Sequence, residues 1–246
     1  VDDDGVPGIV VRLDQAPFKS LESNVEGNVE LVRVGAGADL SKTLMTLSRT
    51  GLAGLEPLMG IPASIGGAIR MNAGGAFGEI GDVVHAVACL DARGELQVYP
   101  ADQLRFEYRR TNIVDPVVLW AAFKVEPTDP IALRTRIKEI AAYKKRTQPL
   151  SEKSAGCMFR NPNDPLTGER VSAGKLIDQA GLKGLRVRSA EVSSRHANFI
   201  TIDRGGKARD AIELGDLVRR RVLDACGIEL QREVVVWRRD ESDSTD

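Results

Sequence analysis

The chain has 246 residues, 42% of them apolar and 28% charged, which is enough to build one large core or two smaller ones. A net charge of −1 excludes a global basic field for nucleic acid or anionic lipid, and no apolar run approaches the ~20 residues that cross a bilayer. Three widely spaced cysteines and two histidines exclude a disulfide framework, a Cys-x-x-Cys zinc site and a multi-histidine metal centre, so no metal is expected and a reducing cytoplasm fits.

In chain order, Val1–Gly8 is an acidic, turn-rich start with no signal-peptide pattern. Ile9–Leu13 reads as a strand that needs a partner. Further strands are predicted at Glu30–Ala36, Val83–Asp91, Glu95–Pro100 and Val117–Val125. Ala92-Arg-Gly94 turns the middle pair into a hairpin. A helix over Ser41–Arg49 has Asp39 or Ser41 as its cap and Gly51 as its stop. Gly60–Gly78 has a different texture, with six glycines and four alanines. It reads either as a loop whose amides wrap a ligand or as a tightly packed loop or short Ala-Gly helix.

Pro127–Pro130 marks a break in composition. An amphipathic helix over Asp129–Lys145 follows, with Ile131, Leu133, Ile137, Ile140 and Ala141 as its apolar side. It ends in Lys144-Lys145-Arg146, either a phosphate contact or a solvated helix end favoured by the macrodipole. A short helix at Gly174–Ala180, strands at Val187–Val192 and Asn198–Ile202, a helix over Ala208–Cys226 and a strand at Glu233–Arg238 complete the pattern. The tail Asp240–Asp246 is acidic and read as disordered. The reading is α+β, with residues 1–127 as one domain and 128–239 as another.

Three segments carry candidate chemistry. Ser154-Ala-Gly-Cys157-Met-Phe-Arg-Asn161-Pro brings a thiol to a bend between small residues, as a reactive or a core thiol. Arg109 lies in Phe106-Glu-Tyr-Arg-Arg-Thr111, between two strands, either as a fork for a carboxylate or diphosphate or as a surface cation. Glu233 opens the last strand, as an acid, an acceptor or a solvated end. His196 reads as a packing histidine, and Cys89 and Cys226 as core thiols.

Taken in order, Gly51-Leu-Ala-Gly-Leu-Glu-Pro-Leu-Met-Gly-Ile-Pro62, Gly66-Gly-Ala-Ile-Arg-Met-Asn-Ala-Gly74, Tyr108-Arg109, Thr147-Gln-Pro149, Ser154–Pro162, Ala173-Gly-Lys-Leu-Ile177, Ala180-Gly-Leu-Lys-Gly184, His196-Ala-Asn-Phe199 and Glu229-Leu-Gln-Arg-Glu-Val234 are far more specific than any one alone. The series closely resembles the UDP-N-acetylenolpyruvoylglucosamine reductase (MurB) family of bacterial cell-wall synthesis, in its shorter subtype. The resemblance covers nearly the whole chain except the tail.

The resemblance implies an FAD-binding domain of the vanillyl-alcohol-oxidase (PCMH) type followed by an α+β substrate-binding domain. It implies FAD and NADPH as cofactors, the enolpyruvyl ether of UDP-N-acetylglucosamine as substrate, and a cytoplasmic monomer. Ile61, Ala63, Ser64, Gly66, Gly67, Asn72, Gly74 and Gly78 fall on the flavin-embracing segment. Cys157 falls on the general acid, commonly serine, and Arg109 and Glu233 on the pair that stabilises the enol form. Asn161, with Lys145 or Arg146, falls on the substrate diphosphate. An ordinary thiol, pKa ~8.5, is mostly protonated at neutral pH and so suits an acid. In the family a strand–helix–strand unit ending in a Gly-x-Gly-Ser-Asn loop precedes a segment like Val1–Leu13. The sequence is therefore expected to be incomplete at its start, and tight FAD binding to need that unit. Two alternatives stay open: another flavin oxidoreductase on the same scaffold, and a non-catalytic nucleotide-sugar binder.

Overall fold

The computed structural model describes residues 1, 3–25 and 27–237, so the acidic tail and Arg238 lie outside the described residues. Contacts divide the chain into two compact units, Val10–Tyr143 and Val1–Ile9 with Lys144–Asp246.

The Val10–Tyr143 unit opens with β1 (Leu21–Val25) and β2 (Asn28–Gly35), a hairpin turned by Gly27 at φ +78°. Helix α1 (Leu40–Arg49) follows; the Asp39 carboxylate accepts the Lys42 amide at 2.8 Å, and Gly51 at φ +70° lies just past its end. The two-residue β3 (Leu52–Ala53) leads to α2 (Ile65–Arg70), capped by Ser64. Then come a small hairpin of β4 (Gly74–Gly75) and β5 (Gly78–Glu79), strands β6 (Val84–Leu90) and β7 (Leu96–Pro100), a second small hairpin of β8 (Phe106–Glu107) and β9 (Arg110–Thr111), and β10 (Val117–Lys124). The main sheet runs β1-β2-β10-β6-β7, antiparallel throughout. Val32 pairs with Phe123 and Val34 with Ala121, which in turn faces Val87; all five are fully buried. Period-two alternation puts these side chains on one face, against Leu40, Ile65 and Ile69 of the helices.

β11 (Glu126–Pro127) returns to pair with β3. Helix α3 (Pro130–Thr147) then packs Leu133 and Ile137 with Leu44 of α1. That contact draws the division between units into α3, after Tyr143, rather than before the helix at Pro127. Ile131, expected on the apolar side, is 71% exposed, whereas Lys144 is buried. The stripe Leu133, Ile137, Ile140 and Lys144 follows the three-and-four spacing of a helix face, and Lys144 falls on it.

The second unit holds β12 (Ser154–Cys157), α4 (Ala173–Gln179), β13 (Arg186–Val187), β14 (Ala190–Val192), β15 (Phe199–Ile202) and α5 (Ala208–Cys226). Its sheet runs β12-β15-β14-β13, and α5 lays Leu214, Val218 and Val222 into a core with Phe159, Ile177 and Leu230. No helix among the described residues is long and apolar enough to cross a membrane.

Two expected strands do not form. Ile9, Val10 and Val11 are 93%, 61% and 76% exposed and pair with no strand among the described residues. Glu233–Trp237 forms no strand among the described residues: an isolated bridge joins Phe159 and Arg232 just before it, and the Glu233 amide donates to the Met158 carbonyl at 2.8 Å. Apolar β-branched residues favour strands only where an edge accepts their backbone. The segment Val187–Val192, expected as one strand, is a hairpin turned at Arg188, which has φ +49°.

Candidate active site

In the Val10–Tyr143 unit a cavity of about 980 Å³ opens beside α2. Such a volume suits a large ligand. Arg12, Lys19, Lys42 and Arg70 line it against one carboxylate, Asp39, which is engaged by the α1 amide. The wall is otherwise small or hydroxylic, with Ala36, Gly37, Ala63, Ser64, Gly66 and Gly67. Four cations around small residues fit a diphosphate-bearing cofactor, because the charge favours phosphate and the missing side chains admit it closely.

The amides at the start of α2 are bonded to protein groups. The Ile65 amide donates to Ala38 O at 2.9 Å, Gly66 to Ala36 O at 2.8 Å and Gly67 to Ser64 Oγ at 3.2 Å. These groups close the start of α2, the short Ala-Gly helix of the plainer reading. A Cβ on Gly66 would stand 3.0 Å from the Ala36 Cβ, so glycine there lets α2 approach β2. The cations and the Ser64 hydroxyl, which can donate while it accepts, are left to meet a ligand.

Of the eight residues placed on the flavin, Ala63, Ser64, Gly66 and Gly67 line the cavity. Ile61 packs on the core. Gly74 and Gly78 stand in the β4–β5 hairpin, where a Cβ on Gly74 would meet Glu79 at 2.6 Å. Asn72 is wholly buried and hydrogen-bonded to protein. Arg70 is missed by the sequence reading: its Nη1 donates to Ile113 O at 2.6 Å and its Nη2 to Asp115 O, which fixes a cation in the cavity wall. The four cations are scattered in sequence, so no cluster announces them.

Arg109 sits in the β8–β9 turn at φ +56°, half-buried, with Nη2 donating to Gly74 O at 3.1 Å and its guanidinium over the Tyr108 ring at 5.0 Å. A non-glycine residue in the left-handed region is a marked local feature.

In the second unit Cys157 ends β12, half-exposed, after Gly156 at φ +89° and beside an irregularity in the pairing with β15. Glu233 is brought next to this segment through its bond to Met158. Asn198, quoted only as part of a motif, fixes the segment. Its side chain accepts from the Phe159 amide at 3.0 Å and donates to the Phe159 carbonyl at 2.8 Å, while its own carbonyl accepts from Met158 at 2.7 Å. His196 serves this loop as a packing residue: Nδ1 accepts from the Asn198 amide, and burial holds its pKa below the usual histidine range. Asn161 Oδ1 accepts from the Ala173 amide at 3.0 Å and so holds the start of α4.

The basic cluster divides. Burial pushes the Lys144 amine down to about 8. Lys145 and Arg146 are both exposed, and the Lys145 carbonyl accepts from Arg195 Nη1 at 3.0 Å. Cys89 is a core thiol, pushed up to about 11 by burial and then by the Asp115 carboxylate. Cys226 packs against the second core.

The profile for the UDP-N-acetylenolpyruvoylglucosamine reductase C-terminal domain matches residues 148–237, and that for an FAD binding domain matches residues 1–99. The UDP-N-acetylenolpyruvoylglucosamine reductase of Paramagnetospirillum magneticum is 40% identical over 235 residues, covering 95% of this chain and 73% of that protein. The protein of the same name from a Bradyrhizobium species is 40% identical over 237 residues with the same coverage. The crystal structure of the MurB enzyme from Thermus caldophilus matches with a TM-score of 0.80 at 38% identity, covering 97% of this chain and 81% of that one. On identity and coverage, with the fold agreeing, the chain belongs to the UDP-N-acetylenolpyruvoylglucosamine reductase family.

Proposed function

We propose that the protein reduces the enolpyruvyl ether of UDP-N-acetylglucosamine to the lactyl ether of UDP-N-acetylmuramate, using FAD and NADPH, in cytoplasmic synthesis of peptidoglycan precursors. The carrying observation is that the Glu233 amide bonds the carbonyl of Met158, the residue after Cys157, so that two segments far apart in sequence meet within a domain of this family. The cations Arg12, Lys19, Lys42 and Arg70, with Ser64, would hold the cofactor's diphosphate in the cavity. When bound and reduced by NADPH, FAD would supply the hydride for the terminal vinyl carbon.

The chain's own residues do the rest. As the terminal carbon gains hydride, negative charge moves toward the carboxylate, and Arg109 stabilises it as a fixed bidentate donor. Glu233 helps to hold the enol form. The Cys157 thiol donates its proton to the carbon bearing the ether oxygen, and the thiolate regains a proton from solvent. Asn161 and one of Lys145 and Arg146 hold the substrate diphosphate.

Cys157→Ala and Cys157→Ser test the assignment in two half-reactions on FAD-loaded protein. With Ala, NADPH should still bleach the flavin, and reoxidation by the enolpyruvyl substrate should fall by about 10²–10⁴-fold. With Ser, reoxidation should persist. Unchanged reoxidation in the Ala variant would remove Cys157 as the acid. Substrate binding by calorimetry without turnover in the parent protein would favour a nucleotide-sugar binder instead.

A further inference from the structure

The family resemblance puts Asn72 on the flavin, yet its side chain is wholly buried and bonded to protein groups. We propose that Asn72 is a positioning residue for Arg109, its one carboxamide fixing both the strand that leads into the Arg109 turn and the hairpin that receives its guanidinium. The proposal rests on the reading that Arg109 meets the substrate carboxylate.

The geometry supports both halves. Asn72 Nδ2 donates to the Glu107 carbonyl at 3.0 Å, and Glu107 is the last residue of β8, two before Arg109. The same nitrogen donates to Glu79 Oε2 at 2.5 Å. Glu79 is the register partner of Gly74, whose carbonyl accepts Arg109 Nη2 at 3.1 Å. Asn72 Oδ1 accepts from the Gly81 amide at 3.1 Å, which ties the carboxamide to the segment after β5. Donors and acceptor are thus used in opposite directions, and only an amide offers both on so short a side chain.

Two further observations show how tightly the amide is held. Asn72 adopts φ +41°, a region that asparagine tolerates better than most residues. A Cβ on Gly81 would stand 3.0 Å from Asn72 Oδ1 and 2.6 Å from the Phe106 ring, so glycine at 81 is what lets its amide reach the Asn72 carboxamide. Arg109 itself lies at φ +56°, a conformation that persists where the surroundings over-determine it. The Asn72 clamp supplies that constraint from the buried side. It orients the guanidinium before substrate arrives, as an electrostatic stabiliser requires.

The test uses the full chain loaded with FAD and the variants Asn72→Asp, Glu79→Gln, their double and Arg109→Ala. Asn72→Asp sets two carboxylates against each other and removes the donor to Glu107. It should slow substrate-driven flavin reoxidation by about tenfold to a hundredfold and weaken calorimetric binding of the enolpyruvyl substrate, because small misplacements of a catalytic group carry such costs. NADPH-driven flavin reduction and FAD retention should not change. Glu79→Gln should lie near the parent. The double variant should recover part of the loss, since the amide introduced at position 79 can donate to the carboxylate introduced at position 72. If Asn72→Asp does not fold, Asn72→Ser carries the same comparison.

A parallel loss of FAD, NADPH-driven reduction and melting temperature, with no selective effect on substrate, would mean a structural role only and would overturn the proposal. So would normal substrate affinity and reoxidation in Asn72→Asp where Arg109→Ala loses both. If Arg109→Ala itself keeps both, the Arg109 reading fails and takes this proposal with it.

Discussion

Lys144 shows how one residue can sit against its chemistry. Its place on the buried stripe of α3 follows from helix spacing, yet its ammonium loses hydration there, and burial lowers its pKa from 10.5 to about 8. The folded pKa is depressed, so the unfolded chain binds more protons between about 8 and 10.5, and stability rises with pH across that window. Below about 8 the burial cost is present in full. Lys144→Met should therefore raise stability by about 2 kcal/mol at pH 7, with the gain shrinking toward pH 10.5 in urea titrations at the two pH values. A gain of equal size at both would contradict burial as the cause. Asn198 makes the opposite case, since its buried amide is matched on both edges by Phe159. Asn198→Ala would leave two backbone groups of the Cys157 segment unpaired and should cost about 2–4 kcal/mol by denaturant melting. Neither outcome follows from composition, because a Lys in a basic triplet and an Asn beside a His look ordinary in sequence.

Whole elements are legible where local signals agree. The sequence reading gives α5 its observed bounds because its apolar spacing is regular and Gly227 stops it at φ +67°. Gly227→Ala should destabilise the second unit by about 1 kcal/mol, measured by thermal melting, because alanine is strained in the left-handed conformation. No neighbour lies within 4 Å of a Cβ there, so a larger loss would point to another cause. The hairpin β6–β7 is legible from the turn at Gly94, at φ +79°. β1 is not, since Leu21-Glu-Ser-Asn-Val25 is mostly polar and becomes a strand by pairing with β2. Ile9–Leu13 and Glu233–Trp237 err the other way: their residue types favour strands, but no neighbouring edge among the described residues completes a ladder.

For the molecule, two separate cores imply two separable stabilities. Phe123→Ala, in the Val10–Tyr143 core, and Phe159→Ala, in the other, should each cost about 3–5 kcal/mol. Calorimetry on the two variants should show each shifting a different part of the unfolding transition. Equal shifts of a single transition would show that the units melt as one. Sequence alone settled the α+β class, every helix but α2 and most central strands, because apolar periodicity and capping residues act within a few neighbours. The ordered series of motifs likewise pointed to the family and to Arg109, Cys157 and Glu233. Tertiary structure decided which glycines line the cavity and which stand in the β4–β5 hairpin, and it set the Asn72 side chain among protein groups and Arg70 in the cavity wall. It also joined Glu233 to the Cys157 segment and buried Lys144. These outcomes depend on where distant backbone carbonyls, amides and apolar faces meet, and hydrogen-bond satisfaction and desolvation take their values only there.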